Sequence, residues 1–421
     1  MDVLVVGGGG REHAICWALK KSPRVKRLYC APGNAGIAEI AKCVAIAARD
    51  VNSMVRFAKE TPVDFVVVAP DDPLSDGMVD ALEAAGIRAF GPYKSAAMLE
   101  SSKVFAKSIM KKYGIPTADH MVFTEAGEAR GYIHEHGVPV VVKADGLALG
   151  KGVVIASDIE QALDAVDMMM LDRKFGDSGS RVIIEDYMTG PEITVLVFTD
   201  GKTVIPMLSS QDHKRLGTGN LGPNTGGMGA FCPSPVYTDE VAEQCMATII
   251  RPTIDAMRSE GRPFKGVLYF GLMLTPQGLR VVEYNARFGD PEAQPILSML
   301  KTDLLDIFEA VADERLHELK IEWRDGYACC VVMASGGYPE RYDRGYEITG
   351  LETVPDDITV FHAGTARENG SLVTNGGRVL GVTATGATLE SASARAYAGV
   401  KCISFKKAHY RTDIGRSETP P

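Results

Sequence analysis

The feature that most constrains the fold is the first stretch of the chain, where an apolar run is followed at once by glycines. Residues 3–6 are continuously apolar, Gly7 to Gly10 follow, and a helical pattern runs over residues 11–19. A short apolar run, a glycine turn and a helix are typical of the first unit of a parallel sheet. The chain is therefore predicted to open with a strand, a tight turn and a helix.

Further apolar runs continue this pattern through the first ninety residues. They lie at residues 28–29, 65–68 and 88–90, separated by helix-like segments that start near Asp50 and Gly77. Their alternation predicts a doubly wound parallel sheet, an α/β fold. Gly91-Pro92 ends this unit.

Three further patterns follow along the chain, and together they predict α+β structure. A compact subdomain is predicted from helix 103–113, strand 120–123, helix 125–136 capped by Thr124, strand 138–142, strand 153–156, helix 159–170 and strand 182–185. Strands 193–198, 204–208, 266–274 and 279–285 suggest an antiparallel sheet with long loops. Strands 328–333, 359–362 and 378–385, an Asn375-Gly376 turn and helix 388–400 suggest a small terminal α+β domain.

Composition excludes several classes of protein. The net charge of -9 leaves no general basic field, so we expect no nucleic-acid partner. Because no apolar stretch reaches the roughly 18 residues of a membrane span, we expect no membrane partner and a cytoplasmic location. The eight cysteines include no C-x-x-C motif, and buried free thiols are expected. We also expect a monomer.

The glycine turn itself is a candidate phosphate site. Backbone N–H groups of residues 7–13, at a helix N-terminus, can hold an anion. The dinucleotide fingerprint fails, because its third glycine falls on Glu12 or His13 and the second strand lacks an acid at its end. A monophosphate is favoured over NAD. The alternative is a turn that only packs a helix on a strand.

A lysine at a strand end precedes a second glycine-rich stretch, residues 143–152. Lys143 and Lys151 there could clamp a polyphosphate, and we expect residues 146–152 to be mobile without nucleotide and ordered with it. The stretch is not a Walker A loop, because Gly146 and Gly150 are too close and Gly152 follows Lys151. A surface hairpin with solvated lysines is the alternative. Residues 185–188, at the end of a strand, could present backbone groups to an adenine.

Two later segments carry the strongest signals of chemistry. Residues 212–229 form a loop too rich in glycine to serve core packing, and function is favoured over disorder there. In residues 281–292, strand alternation aims Glu283 and Asn285 at the same face. Two converging oxygen ligands, completed by phosphates and water, are typical of magnesium sites in ATP enzymes. A surface strand with a stray acid is the alternative.

These segments resemble a known family. The stretches GGGGREHA, KADGLALGKGV, DHKRLGTGNLGPNTGGMGA and NARFGDPEAQ closely resemble glycinamide ribonucleotide synthetases of the ATP-grasp superfamily, and the match runs from end to end. The chain departs from the family at Ser101, where glycine is usual, and at Asp71-Asp72, where a glutamate-containing sequence is usual.

The resemblance implies three domains. They are a pre-ATP-grasp N-terminal domain over residues 1–102, an ATP-grasp domain of two α+β subdomains over 103–325 with a mobile lid at about 118–186, and a small C-terminal α+β domain over 326–421.

The resemblance also implies the role of each candidate site residue. For ATP it implies Lys103, Lys143, Lys151, Glu185, Asp186, Tyr187, Met188 and Glu192, and for Mg²⁺ or Mn²⁺ it implies Glu283 and Asn285. For phosphoribosylamine it implies Gly9, Gly10, Arg11, Glu12, Asp212, His213 and Lys214. For glycine and the transferred phosphate it implies Arg287 with Asn224, Thr225, Gly226, Gly227 and Met228. Arg287, Lys143 and Asp212 are the expected catalytic residues.

The family chemistry is an ATP-dependent ligation of glycine to 5-phosphoribosylamine through glycyl phosphate, in purine biosynthesis. Three alternatives stay open at this point. Another ATP-grasp carboxylate-amine ligase or carboxylase would share the lysines and the metal pair. A noncatalytic nucleotide sensor is hard to reconcile with Glu283, Asn285 and Lys143 together. An NAD dehydrogenase would need the glycine and the acid that the first unit lacks.

Overall fold

The computed structural model describes residues 1–147 and 152–416. The N-terminal part contains a parallel sheet with strand order β3-β2-β1-β4-β5. Its elements are β1 (Asp2–Gly7), α1 (Gly10–Lys20), β2 (Arg27–Pro32), β3 (Lys42–Cys43), α2 (Val51–Glu60), β4 (Phe65–Val68), α3 (Asp71–Asp76), α4 (Met78–Ala84), β5 (Arg88–Phe90) and α5 (Lys94–Ser101). The predicted doubly wound sheet is confirmed.

Alternate residues of β1 explain why this sheet is central to the molecule. Leu4 and Val6 pack into one hydrophobic cluster, and Val3 and Val5 pack into a different cluster on the other face. All four side chains are fully buried. A continuous apolar strand is stable in this position because both of its faces are covered.

The next unit is a four-stranded antiparallel sheet with order β6-β9-β7-β8, preceded by a helix. Its elements are α6 (Lys103–Tyr113), β6 (His120–Phe123), α7 (Ala126–His136), β7 (Val140–Ala144), β8 (Val153–Ala156), α8 (Ile159–Val166) and β9 (Val182–Asp186). The predicted Thr124 cap is wrong, because Glu125 is the N-cap of α7 and makes no side-chain capping bond. The predicted helix 159–170 is α-helical only to Val166 and continues as a π turn.

A second antiparallel sheet, with order β11-β10-β16-β17, forms the other half of this region. The elements here are β10 (Glu192–Asp200), β11 (Val204–Pro206), β12 (Gln211–Asp212), β13 (Arg215–Gly217), β14 (Leu221–Asn224), β15 (Gly229–Cys232), α9 (Asp239–Cys245), α10 (Arg251–Ser259), β16 (Lys265–Thr275), β17 (Gly278–Asn285), α11 (Ala293–Met299) and α12 (Leu304–Ala312). β13 and β14 form a separate hairpin.

The C-terminal sheet has the order β12-β15-β18-β22-β19, with β23 beside β18. The further elements of this region are β18 (Tyr327–Ser335), β19 (Ile358–His362), β20 (Thr365–Glu368), β21 (Ser371–Thr374), β22 (Arg378–Gly386), α13 (Leu389–Cys402) and β23 (Ala408–His409), of which β20 and β21 pair with each other in a separate sheet. β12 and β15 come from the middle of the chain, so this sheet crosses the boundary predicted at residues 325 and 326. The predicted limits of the three domains stay predictions.

The cysteines and the helices bear on two further expectations. The eight cysteines are free thiols, and six of them are buried, as predicted. Among the described residues, no helix is long and apolar enough to cross a membrane.

Candidate active site

The glycine turn before α1 lies against the segment that follows β17. Gly9 is the N-cap of α1, and its N–H donates to the Glu12 carboxylate at 2.6 Å. The other Glu12 oxygen pairs with Arg11 at 2.8 Å, and Arg11 also donates to the Phe288 carbonyl at 3.0 Å. The helix N-terminus and Arg11 thus form one place where an anion is electrostatically favoured.

Packing accounts for some of the glycines in this turn. A Cβ on Gly8 would lie 2.5 Å from the backbone oxygen of Gly33, so the turn has no room for a side chain there. A Cβ on Gly10 would lie 2.5 Å from Nε2 of Gln294 on α11. The packing role and the anion-binding role of this turn are therefore compatible.

Lys103, the first residue of α6, reaches the residues that follow β7. Its ammonium donates to the Gly146 carbonyl at 2.8 Å. Ser102 caps α6 by accepting from Phe105 N–H at 3.1 Å, and its hydroxyl donates to Asp145 at 3.1 Å. Burial lowers the pKa of Lys103, although Glu283 raises it. The cap therefore places a buried cation where the glycine-rich stretch begins.

Lys143 shares a buried carboxylate with a lysine that the sequence analysis did not select. Its Nζ lies 2.9 Å from Glu185, and Lys107 Nζ lies 3.1 Å from the other oxygen of Glu185. All three side chains are at most 6% exposed. Burial would raise the pKa of Glu185, but the two lysines lower it. Burial lowers the pKa of Lys107 to about 8.

The end of β9 and the residues after it include further residues that were predicted to contact ATP. Asp186 pairs with His136 at 2.9 Å, and Tyr187 is 43% exposed. Met188 is half-buried. Lys151, also predicted to contact the nucleotide, lies with residues 148–150 outside the described residues.

Glu283 and Asn285 end β17, directly after a bulge. Gly271 pairs with Glu283 and Leu272 with Val281, so Val282 has no partner across the strand and its carbonyl accepts from Lys143 at 3.2 Å. Lys214 Nζ lies 3.5 Å from Glu283 and 3.3 Å from Glu192. Lys214 therefore connects Glu283, a candidate metal ligand, with Glu192, which was predicted to bind ATP. The resemblance had implied that Lys214 itself contacts phosphoribosylamine.

The charge of Glu283 is set by the cations around it. Burial would raise its pKa, but Lys214, Lys143, Lys103 and Arg287 lower the pKa to about 2. The carboxylate is therefore ionised at neutral pH, as a metal ligand must be.

Arg287 lies between Asn285 and a buried acid, Glu100. Its guanidinium lies 2.9 Å from Glu100 and 3.7 Å from Asp71, and it donates to the Asn285 side-chain oxygen at 3.2 Å. The second oxygen of Glu100 accepts from Ala286 N–H at 2.8 Å. Burial raises the pKa of Glu100 to about 7, although Arg287 lowers it. Two acids thus hold Arg287 beside the metal candidate.

Asp212 and His213 occupy different environments. One carboxylate oxygen of Asp212 is buried without a hydrogen-bond partner, and burial and Glu292 raise the pKa of this acid. The His213 ring is buried against Phe231, with ring centres 5.8 Å apart, and burial lowers its pKa to about 4. Asp212 is therefore the better candidate for contact with a substrate.

The segment 224–228 turns back toward Asp212. Thr225 N–H donates to the Lys214 carbonyl at 2.7 Å, and Gly227 N–H donates to the Thr225 hydroxyl at 3.0 Å. A Cβ on Gly227, whose φ is +110°, would lie 2.6 Å from Asp212 Oδ1. The Met228 side chain is fully buried, and Asn224 pairs across the hairpin with Arg215. Gly227 is thus needed for the close approach to Asp212.

Sequence reasoning missed three residues that hold this site together: Glu100, Lys107 and Arg378. Two of them carried a signal, because Glu100 is the one acid in α5 and Lys107 follows Lys103 by one helical turn. Arg378 begins a terminal strand and has no local sign of a role.

Comparison with known families covers almost the whole chain. The phosphoribosylglycinamide synthetase N domain matches residues 1–100, the ATP-grasp (A) domain of that family matches 101–293, and its C domain matches 328–417. The phosphoribosylamine--glycine ligase of Halalkalibacterium halodurans is 48% identical over 415 residues, covering 99% of this chain and 96% of the relative. That of Brucella melitensis is 48% identical over 417 residues, covering 99% and 97%.

Solved structures give the same fold. The crystal structure of the phosphoribosylamine--glycine ligase of Thermotoga maritima has a TM-score of 0.83 and 34% identity, covering 98% of this chain and all of that chain. A biotin carboxylase of Campylobacter jejuni, in a complex with a β,γ-ATP ligand, has a TM-score of 0.75 at 14% identity, covering 97% and 92%. The second similarity shows the shared fold alone.

Proposed function

The chain belongs to the phosphoribosylglycinamide synthetase family, and on that premise we propose that it ligates glycine to 5-phosphoribosylamine with ATP in purine biosynthesis. The products are glycinamide ribonucleotide, ADP and phosphate. The observation that carries this proposal is the match of the three domains of one family along the chain. Two observations support it. Arg11 and Arg287 both donate to the Phe288 carbonyl, at 3.0 and 3.2 Å, and Lys143 and Arg287 both lower the pKa of Glu283.

In the first step a glycine carboxylate oxygen attacks the γ-phosphorus of ATP and ADP leaves, which gives glycyl phosphate. Lys103 and Lys143 would neutralise the phosphates, since charge stabilisation dominates phosphoryl transfer. Arg287, held by Glu100 at 2.9 Å, would bind the carboxylate and then the transferred phosphate.

In the second step the amine of phosphoribosylamine attacks the acyl carbon and inorganic phosphate leaves. Arg11 and the N-terminus of α1 would hold the ribose phosphate. The proton that the amine loses would pass to the departing phosphate. Burial and Glu292 raise the pKa of Asp212, so this acid favours the protonated form and would donate a hydrogen bond to a substrate. The protein otherwise positions two reactants and excludes water from the acyl phosphate.

The residues at the end of β17 fit a divalent cation. Glu283 and Asn285 offer two oxygens whose neighbours, Lys214 at 3.5 Å and Arg287 at 3.2 Å, are both cations. A carboxylate oxygen and an amide oxygen are ligand types that Mg²⁺ and Mn²⁺ accept, and the two cations would have to move away from these oxygens when the ion binds. The ion would supply charge neutralisation for the phosphates of ATP.

The test is a turnover assay with isotope-labelled substrate. Purified protein is incubated with ATP, magnesium, fresh phosphoribosylamine and glycine that carries ¹⁸O in its carboxylate, with controls that omit glycine or replace it with bicarbonate. We expect ADP, the amide and one labelled oxygen in inorganic phosphate. AMP as the product would contradict the acyl-phosphate step, and no turnover beside an active reference ligase would contradict the activity.

A further inference from the structure

The glycine-rich loop is carried by the C-terminal sheet. The strands on either side of it, β12 and β15, pair with each other, and β15 pairs with β18 through four residue pairs from Gly229 with Val331 to Cys232 with Ala328. The loop therefore starts and ends on a sheet whose other strands belong to the last hundred residues of the chain.

Two side chains of the C-terminal sheet region hold Gly226 by both polar groups of its backbone. Gly226 N–H donates to the Tyr338 hydroxyl at 2.9 Å, and Arg378 donates to the Gly226 carbonyl at 2.7 Å. A Cβ on Gly226 would lie 3.2 Å from that hydroxyl and 3.3 Å from the guanidinium carbon. A side chain on Gly226 would therefore require the Tyr338 hydroxyl or the Arg378 guanidinium to move by a few tenths of an ångström.

The same guanidinium reaches a second part of the site. Arg378 donates to the Asp290 carbonyl at 2.6 Å and lies 3.2 Å from the Asp290 carboxylate. Asp290 accepts from Gln294 at 2.9 Å and lies 3.5 Å from the position of a Cβ on Gly9. One arginine therefore connects the glycine-rich loop to the segment that borders the N-terminal glycine turn.

The hairpin at the start of the loop is held by the same end of the chain. Arg411, which is fully buried, donates to the Arg215 carbonyl at 3.1 Å. The His409 ring nitrogen lies 3.0 Å from the Leu216 carbonyl, and Asp413 accepts from Gly219 N–H at 2.8 Å. Contacts from residues 409–413 thus fix the first half of the loop, and Arg378 with Tyr338 fixes the second half.

We propose that Arg378 is a positioning residue for the ligation: with Tyr338, it sets the conformation of residues 224–228 and their distance from Asp290. The inference rests on the proposed function, because residues 224–228 are the proposed site for glycine and the transferred phosphate. A guanidinium suits this task because its planar fork donates several hydrogen bonds in fixed directions, which a lysine ammonium cannot do.

The test uses four variants of the full chain: Arg378→Met, Arg378→Lys, Tyr338→Phe and Arg395→Met. Arg395 is the matched control, since it also pairs with a carboxylate, Asp357, and donates to a carbonyl, that of Thr385, but does so away from the loop. Amide hydrogen exchange of residues 213–229 is measured beside the KM for each substrate, kcat and the midpoint of thermal unfolding.

We expect faster exchange in 224–228 for Arg378→Met and Tyr338→Phe, and no change there for Arg395→Met. Because small displacements of substrate-binding groups are costly, kcat/KM for glycine and phosphoribosylamine should fall about 10- to 100-fold in Arg378→Met. The KM for ATP should stay within about twofold, since no hydrogen bond or ion pair joins Arg378 to Lys103 or Lys143 in the described part of the chain. Arg378→Lys should recover only part of the loss.

Three outcomes would overturn the proposal. They are unchanged exchange in 224–228 for Arg378→Met, a loss of kcat/KM equal to that of Arg395→Met, or full activity in Arg378→Lys. A wild-type protein without ligase activity would instead remove the proposed function, and the exchange measurement would still report on the contact between Arg378 and the loop.

Discussion

Nζ of Lys143 lies 2.9 Å from Oε1 of Glu185, so a lysine proposed to bind phosphate already has an anionic partner in the protein. Lys107 holds the other oxygen of that carboxylate at 3.1 Å. Glu185 therefore fixes Lys143 at the end of β7, where a triphosphate can share its charge.

The two lysines predict different effects of substitution. Lys143→Met should raise the KM for ATP by about tenfold or more, because it removes a charge-assisted contact to phosphate. Lys107→Met should leave that KM within about threefold but lower stability, because breaking a buried ion pair is strongly destabilising. Steady-state kinetics and thermal unfolding of both variants check this. If both substitutions changed the KM for ATP equally, Lys143 and Lys107 would not have the separate roles that we assign to them.

The metal pair predicts a loss of turnover without a loss of fold. Glu283→Gln and Asn285→Ala should each lose most activity, because the first removes the negative charge of one ligand and the second removes the other oxygen ligand from an ion that neutralises phosphates. Activity is measured against magnesium concentration, with circular dichroism as the control for folding. Near-normal rates at limiting magnesium in both variants would show that the ion binds elsewhere.

Glu100 predicts a pH dependence of stability. Its pKa is about 7 in the folded state against 4.5 as the ordinary value, so the folded protein binds the additional proton and loses stability as the pH rises between these values. Glu100→Gln removes this titration. Its free energy of unfolding relative to wild type should rise by up to about 3 kcal/mol between pH 4.5 and 7.5, at about 1.4 kcal/mol per pKa unit. Urea unfolding at both pH values measures the difference, and a constant difference would contradict the assignment.

Substitution of Arg11 is expected to weaken the binding of phosphoribosylamine and not that of ATP. Arg11→Ala should raise the KM for phosphoribosylamine by about tenfold or more and leave the KM for ATP nearly unchanged, since Arg11 lies at the N-terminus of α1. Arg27→Ala, which removes an exposed arginine paired with Asp2 in the same domain, is the control. A parallel rise in both KM values would mean that the substitution damages the fold.

Local patterns in the sequence determined many elements of the fold. The bounds predicted for α6 agree with the structure, since Ser102 caps its start and Gly114, at φ +68°, ends it. The first parallel sheet was also predictable, because apolar runs and glycine turns are local signals. The position of Glu283 and Asn285 on one face followed from the two-residue period of a strand. Their role as metal ligands stays a prediction.

Only the tertiary structure decided which distant residues meet. The bulge at Val282, the pairing of β15 with β18, and the bonds from Arg378 to Gly226 and Asp290 join positions far apart in the chain. Such contacts leave no periodic signal, because each depends on the packing of several elements that the local sequence does not encode. The sequence by itself therefore determined the local elements and the candidate chemical groups, whereas the tertiary structure decided that the C-terminal sheet carries the glycine-rich loop.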